Sequence, residues 1–150
     1  MAGNAAPIYS KAGDIQSSAV IAAVNAVLYN GAGTIGTDVY KIWTADATNG
    51  GFLQRVRVKY VANATTASNA CMMKFFLSSA SSGAVTDANM FFYDEMSIPA
   101  TGTLTTTAGN VSYDMPVGFA LPPGWSIFAK ITVAQPANCG FIATGIGGKY

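Results

Sequence analysis

The residues able to do chemistry are few in this sequence, and their spacing limits the chemistry further. Histidine is absent, which removes the side chain most used for acid–base work at neutral pH and a frequent ligand of zinc and iron. Asp94 and Glu95 are the only adjacent carboxylates. In a strand they point to opposite faces, so a shared acid–base pair would need a bulge. The other acids, Asp14, Asp38, Asp46, Asp87 and Asp114, fall mostly in predicted turns, where aspartate caps backbone groups. No calcium-loop spacing, GxSxG elbow or SxxK pair occurs. Cys71 and Cys139 are too few for a thiolate zinc site and form no CxxC pair. The expectation is a protein that is not an enzyme and needs neither cofactor nor metal.

Three further patterns bear on binding. Gly31-Ala32-Gly33-Thr34-Ile35-Gly36 matches GxGxxG, but a dinucleotide site needs a helix after the glycines and an acid about twenty positions on. Here Val39, Tyr40, Ile42 and Trp43 predict a strand, and the later region offers Arg55 and Arg57 instead. Arg55, Arg57 and Lys59 form the one basic stripe. It reads either as a solvated face whose charges block edge pairing or as an electrostatic dock for an acidic protein surface. A nucleic-acid reading is weaker, because the nearby Tyr60, Phe75 and Phe76 have the setting of core residues. Trp43 and Trp125 would suit a sugar platform if exposed, and core anchoring is the commoner use of such residues. Asn63-Ala64-Thr65 and Asn110-Val111-Ser112 match the glycosylation pattern, which matters only on a secretory route.

The elements that must position these residues are strands. Val and Ile number 21 against 5 Leu, and β-branched side chains suit a pleated sheet. Side chains alternate faces in a strand, so in 52–61 Arg55, Arg57 and Lys59 point one way while Val56, Val58 and Tyr60 point the other. Further strands are predicted over 38–44, 71–77, 90–98, 127–133 and 139–146, with local pairing over 111–115. The segment 19–28 fits both a helical stripe and a buried strand, and its shortness and β-branched content favour the strand. The sequence Asp46-Ala47-Thr48-Asn49-Gly50-Gly51 reads as a turn, and so does Pro122-Pro123-Gly124-Trp125. The tail 147–150 is expected to be flexible unless a neighbour holds it. About eight strands with turns between them predict an all-β, two-sheet β-sandwich with jelly-roll-like connections. An extended arm covers 1–18 and one sandwich domain covers 19–150.

Only 10% of residues are charged and the net charge is +1, while 51% are hydrophobic. A disordered chain and a basic nucleic-acid tail are excluded, and no apolar stretch is long enough to span a membrane. So apolar a surface composition suggests a subunit that hides area against neighbours. The first residues lack the basic head and apolar middle of a secretory signal, which favours a reducing cytoplasm and two free, buried thiols. Spacing alone leaves a single disulfide open.

The run from Thr44 through Asn49-Gly50-Gly51-Phe52 to Val58, the strand at Phe75-Phe76-Leu77, and Leu121-Pro122-Pro123-Gly124-Trp125-Ser126-Ile127 together resemble small virion proteins of tailed bacteriophages. The resemblance is to capsid decoration, cement or head-auxiliary proteins and covers roughly 39–133. It implies a β-sandwich or jelly-roll subunit, commonly a homotrimer, on the outer capsid surface, clamping neighbouring major capsid proteins after assembly in the host cytoplasm. The arm 1–18 departs from the family's pattern; from the residues themselves, the partner-binding residues expected are Ile8, Tyr9 and Lys11 of the arm with Arg55, Arg57 and Lys59, and neither nucleic acid nor membrane is an expected partner. The alternative is a receptor- or carbohydrate-binding module of a phage head or tail fibre.

Overall fold

The computed structural model describes residues 12–23, 31–62, 66–104 and 111–150. Two four-stranded antiparallel sheets carry the fold. Sheet A consists of β1 (Ala12–Ser17), β4 (Gly51–Ala62), β8 (Ser112–Leu121) and β10 (Cys139–Lys149), in the order β1-β10-β4-β8. Sheet B consists of β3 (Tyr40–Thr44), β5 (Cys71–Ser78), β7 (Phe91–Ile98) and β9 (Ser126–Ile131), in the order β3-β9-β5-β7. A two-stranded pair, β2 (Gly33–Thr34) with β6 (Ala84–Val85), stands apart from both. The described residues contain no helix. The all-β sandwich expected from composition and periodicity is the fold observed.

The core follows from alternation. Val56, Val58 and Tyr60 of β4 and Phe141 and Ala143 of β10 point inward from sheet A, meeting Met73 and Phe75 of β5 and Ile127, Ala129 and Ile131 of β9. Trp43 lies fully buried at the centre of this layer. Gly145 makes room for it: a Cβ there would sit 2.5 Å from the Trp43 Cβ. On the β1/β3 side the sandwich is closed by one side chain. The Gln16 amide donates to the Thr44 carbonyl at 3.0 Å and accepts from the Thr44 N–H at 3.1 Å, occupying the open backbone of β3 as another strand would. On the opposite side the closure is aromatic, with Tyr93 of β7 edge-on to Phe119 of β8 at 5.1 Å.

Several expectations need correction. Residues 12–17, assigned to the arm, form β1 and pair with β10 along their whole length. The tail 147–149 is part of β10, held between β1 and β4. In 19–28 the described part makes only one bridge, Ile21 to Phe141, and 24–28 lies outside the described residues. The pairing expected locally at 111–115 extends to Leu121, against β4 rather than a neighbour in sequence. The glycines of the GxGxxG match contribute to β2 and a turn that runs into β3, not into a helix.

Candidate functional site

The two sheets turn very different outer faces to their surroundings. On sheet B, Phe76 and Phe128 face outward beneath β2, β6 and their flanking turns, and with Val39, Val85 and Met90 they form a second small core. Lys74 and Lys130 lie on this face as cross-strand partners, each almost fully buried. The Lys130 ammonium donates to the Ala32 carbonyl at 2.9 Å and stands 5.5 Å from the Phe76 ring centre. Burial pulls its pKa below the ordinary lysine value, while Asp38 and Asp87 oppose that shift.

The outer face of sheet A has no such cover among the described residues. Its rows can be read from the register: Ile15, Ile146, Arg55 and Pro116 in one, and Ser17, Thr144, Arg57 and Asp114 in the next. A third holds Ile142, Lys59 and Ser112. Arg55, Arg57 and Lys59 therefore share one outward face, as alternation predicts. Apolar side chains are exposed around them: Ile15 is 70% exposed, and Val20 and Phe52 are exposed as well. At the end where β10 begins, Val20, Val61, Ile142 and Cys139 line a groove of about 550 Å³.

The stripe is internally organised. Arg57 grips Asp114 with two parallel hydrogen bonds, Nε to Oδ1 at 2.8 Å and Nη2 to Oδ2 at 2.9 Å. That hydrogen bonding holds the Asp114 carboxyl below its ordinary value, with further help from the charges of Arg57 and Arg55. The Arg55 Nε is buried with no hydrogen-bond partner. Lys59 is exposed. With one carboxylate against three cations, the face keeps a positive excess inside an aliphatic surround.

The other candidate groups are placed as follows. Ile8, Tyr9 and Lys11 lie outside the described residues. Asp94 stands opposite Phe75 and Glu95 opposite Lys74, so the two carboxylates face opposite ways. Among the described residues no three of His, Cys, Asp or Glu gather into a metal site. Cys71 and Cys139 are free and buried, and burial pushes the Cys71 thiol up to about 11. The Tyr60 hydroxyl donates to the Thr66 carbonyl at 2.8 Å, and its pKa is pushed up to about 12 by burial first and then by Cys139. Asp46 performs the expected turn chemistry, accepting from the N–H groups of Asn49 and Thr48, which lowers its pKa. Trp43, offered as one sugar platform, is fully buried, which withdraws it. Trp125 is half-buried and stacks on the exposed Phe91 ring at 6.0 Å and 14°.

Sequence reasoning found the basic stripe but missed its aliphatic setting. Ile15, Ile142 and Ile146 reach the stripe only through long-range register, which leaves no local signal. No family model, no curated protein and no solved structure matches this chain.

Proposed function

We propose that the chain is a non-enzymatic structural virion protein that decorates a tailed-bacteriophage capsid, binding between major capsid proteins on the outer surface and stabilising the shell. The observation that carries this reading is the outer face of sheet A, uncovered among the described residues, where Arg55, Arg57 and Lys59 stand near the exposed Ile15, Val20 and Phe52. A positive face with exposed apolar side chains suits an acidic protein surface, with charge guiding the approach and apolar area giving the adhesion. The strand orders β1-β10-β4-β8 and β3-β9-β5-β7 favour a jelly-roll path, since the chain crosses between the sheets at every step but β5 to β7, which pair as neighbours in sheet B. A protein that binds the assembled shell and not its loosened form stabilises it by mass action, and several copies acting together multiply the effect.

The test is co-sedimentation of the full chain with shells of the capsid protein from the virus that encodes it. Saturable attachment that weakens as salt rises, and is lost in the triple variant Arg55→Glu, Arg57→Glu, Lys59→Glu, is the expected result. Failure of the wild-type chain to attach at any salt concentration overturns the proposal.

A second reading, the carbohydrate-binding module, draws support from the stacked Phe91–Trp125 pair. Because Trp43 is buried, a change in tryptophan emission on adding oligosaccharides would report on Trp125. An emission spectrum unaffected across an oligosaccharide series removes this reading.

A further inference from the structure

The four lateral edges of the sandwich are not equally protected. Strand β3 has its Thr44 backbone groups taken by the Gln16 amide. Strand β7 carries Asp94 and Glu95 and breaks register beside Tyr93. Strand β8 contains Pro116 and the positive-φ Gly118, at a register shift against β4. Charges, prolines and bulges of this kind keep an edge from pairing with another chain. Strand β1 has no proline and no register break, and its one charge, Asp14, is engaged by the Gln16 amide and Lys149 of its own chain.

Its hydrogen-bonding direction can be worked out. Ser18 donates its N–H to the Ala143 carbonyl at 2.9 Å. In an antiparallel pair alternate residues face the partner, so Asp14 and Gln16 also bond toward β10. Gly13, Ile15 and Ser17 therefore present N–H and C=O to the free edge. Ile15 itself is the most exposed large apolar residue among those described.

We propose that β1 pairs antiparallel with β1 of a second copy of this chain, about a two-fold axis through Ile15. This register gives Ile15 its own counterpart and sets Gly13 opposite Ser17, so all three outward-facing residues form reciprocal hydrogen-bonded pairs. It also sets Asp14 opposite Gln16, an acid against an amide rather than acid against acid, so the contact is self-complementary as a two-fold interface must be. The two copies of sheet A become one eight-stranded sheet. On its outer face Arg55, Ile146 and Ile15 of one copy run directly into Ile15, Ile146 and Arg55 of the other. The product is a continuous aliphatic strip with an arginine at each end, twice the length of the face on one chain. The pairing stands independently of the shell reading, because it is measured without shells.

The experiment compares native mass and residue-resolved amide exchange for the full-length wild type, Ile15→Lys and Gly13→Pro. Ile15 is mostly in solvent, and a Cβ at Gly13 meets nothing within 4 Å, so neither change removes core contacts. The expected wild type is a dimer, with Gly13, Ile15 and Ser17 amides protected. Both variants should have a dimer dissociation constant raised at least about tenfold. Their residual outward amides should exchange fast while Asp14 and Gln16 stay protected. A monomeric wild type, a trimer with fast exchange at Ile15, or a dimer unchanged in both variants overturns the proposal.

Discussion

The outer faces of the two sheets are made from the same alternation yet have opposite fates. On sheet B the outward side chains include Phe76 and Phe128, and the chain spends β2, β6 and their turns covering them. On sheet A the outward side chains include Ile15, Ile142, Ile146 and three cations among Ser17, Thr144, Ser112 and Asp114, and no described residue covers them. A sandwich needs only its inner layer to fold, so the outer faces are free to diverge. One has become a second core that also accommodates two lysines; the other leaves apolar area, Ile15 above all, exposed among the described residues.

That contrast can be broken by measurement. Phe128→Ala should destabilise by about 3–5 kcal/mol, since it empties a buried site under the cover, whereas Phe52→Ala on the open face should cost under about 1 kcal/mol. Urea denaturation of both variants checks this, and equal costs would mean that the open face is structurally occupied after all. Next in size, Gly145→Ala should cost about 1–3 kcal/mol, because the new methyl collides with Trp43 from the strand that underlies the open face. A melting temperature unchanged from wild type would show that β3 and β10 can move apart at this point, since the closest atom is the Trp43 Cβ.

Thiol labelling sharpens the same division. Cys71 and Cys139 should remain unreactive toward Ellman's reagent in the native protein and become reactive together on unfolding, since both are buried and the Cys71 thiol is pushed up to about 11. Early labelling of Cys139 alone would indicate that the groove end of sheet A opens independently. The smallest effect concerns Arg57 and Asp114. The folded carboxyl titrates below its ordinary 3.8, so whatever the pair contributes is present above that value and disappears as pH falls through the lowered one. Carbon-detected NMR titration should show Asp114 moving back up toward 3.8 in Arg57→Ala, with little change in the urea midpoint at neutral pH. A titration curve identical to wild type would refute the assigned cause.

Much of this was legible where side chains alternate. The outward setting of Arg55, Arg57 and Lys59, the strand at Phe75-Phe76, and the Asp46 and Pro122-Pro123 turns all follow from local pattern. Strand β1 was not legible, because Ala-Gly-Asp-Ile-Gln-Ser has no apolar period and its structure depends on backbone bonds offered by β10. Gly147 and Gly148 likewise read as a loose tail, yet they pair through main chain on both sides. Strand β8 was only partly visible because Pro116 and Gly118 interrupt it. The second core left a readable trace: Lys74 and Lys130 each sit inside an apolar run, in Met-Met-Lys-Phe-Phe and Phe-Ala-Lys-Ile, where a solvated lysine would be out of place.

Those two interior lysines do not balance the acids on their own side of the molecule. Even with Lys74 and Lys130 counted, the described residues away from the open face carry Asp38, Asp46, Asp87, Asp94 and Glu95 against Lys41, Lys74 and Lys130, while Asp14 and Lys149 largely cancel each other. The near-neutral formula charge thus conceals a lopsided field, negative behind and positive in front. Such a molecule would rotate in an external potential before it touched anything, turning its positive side toward any anionic body.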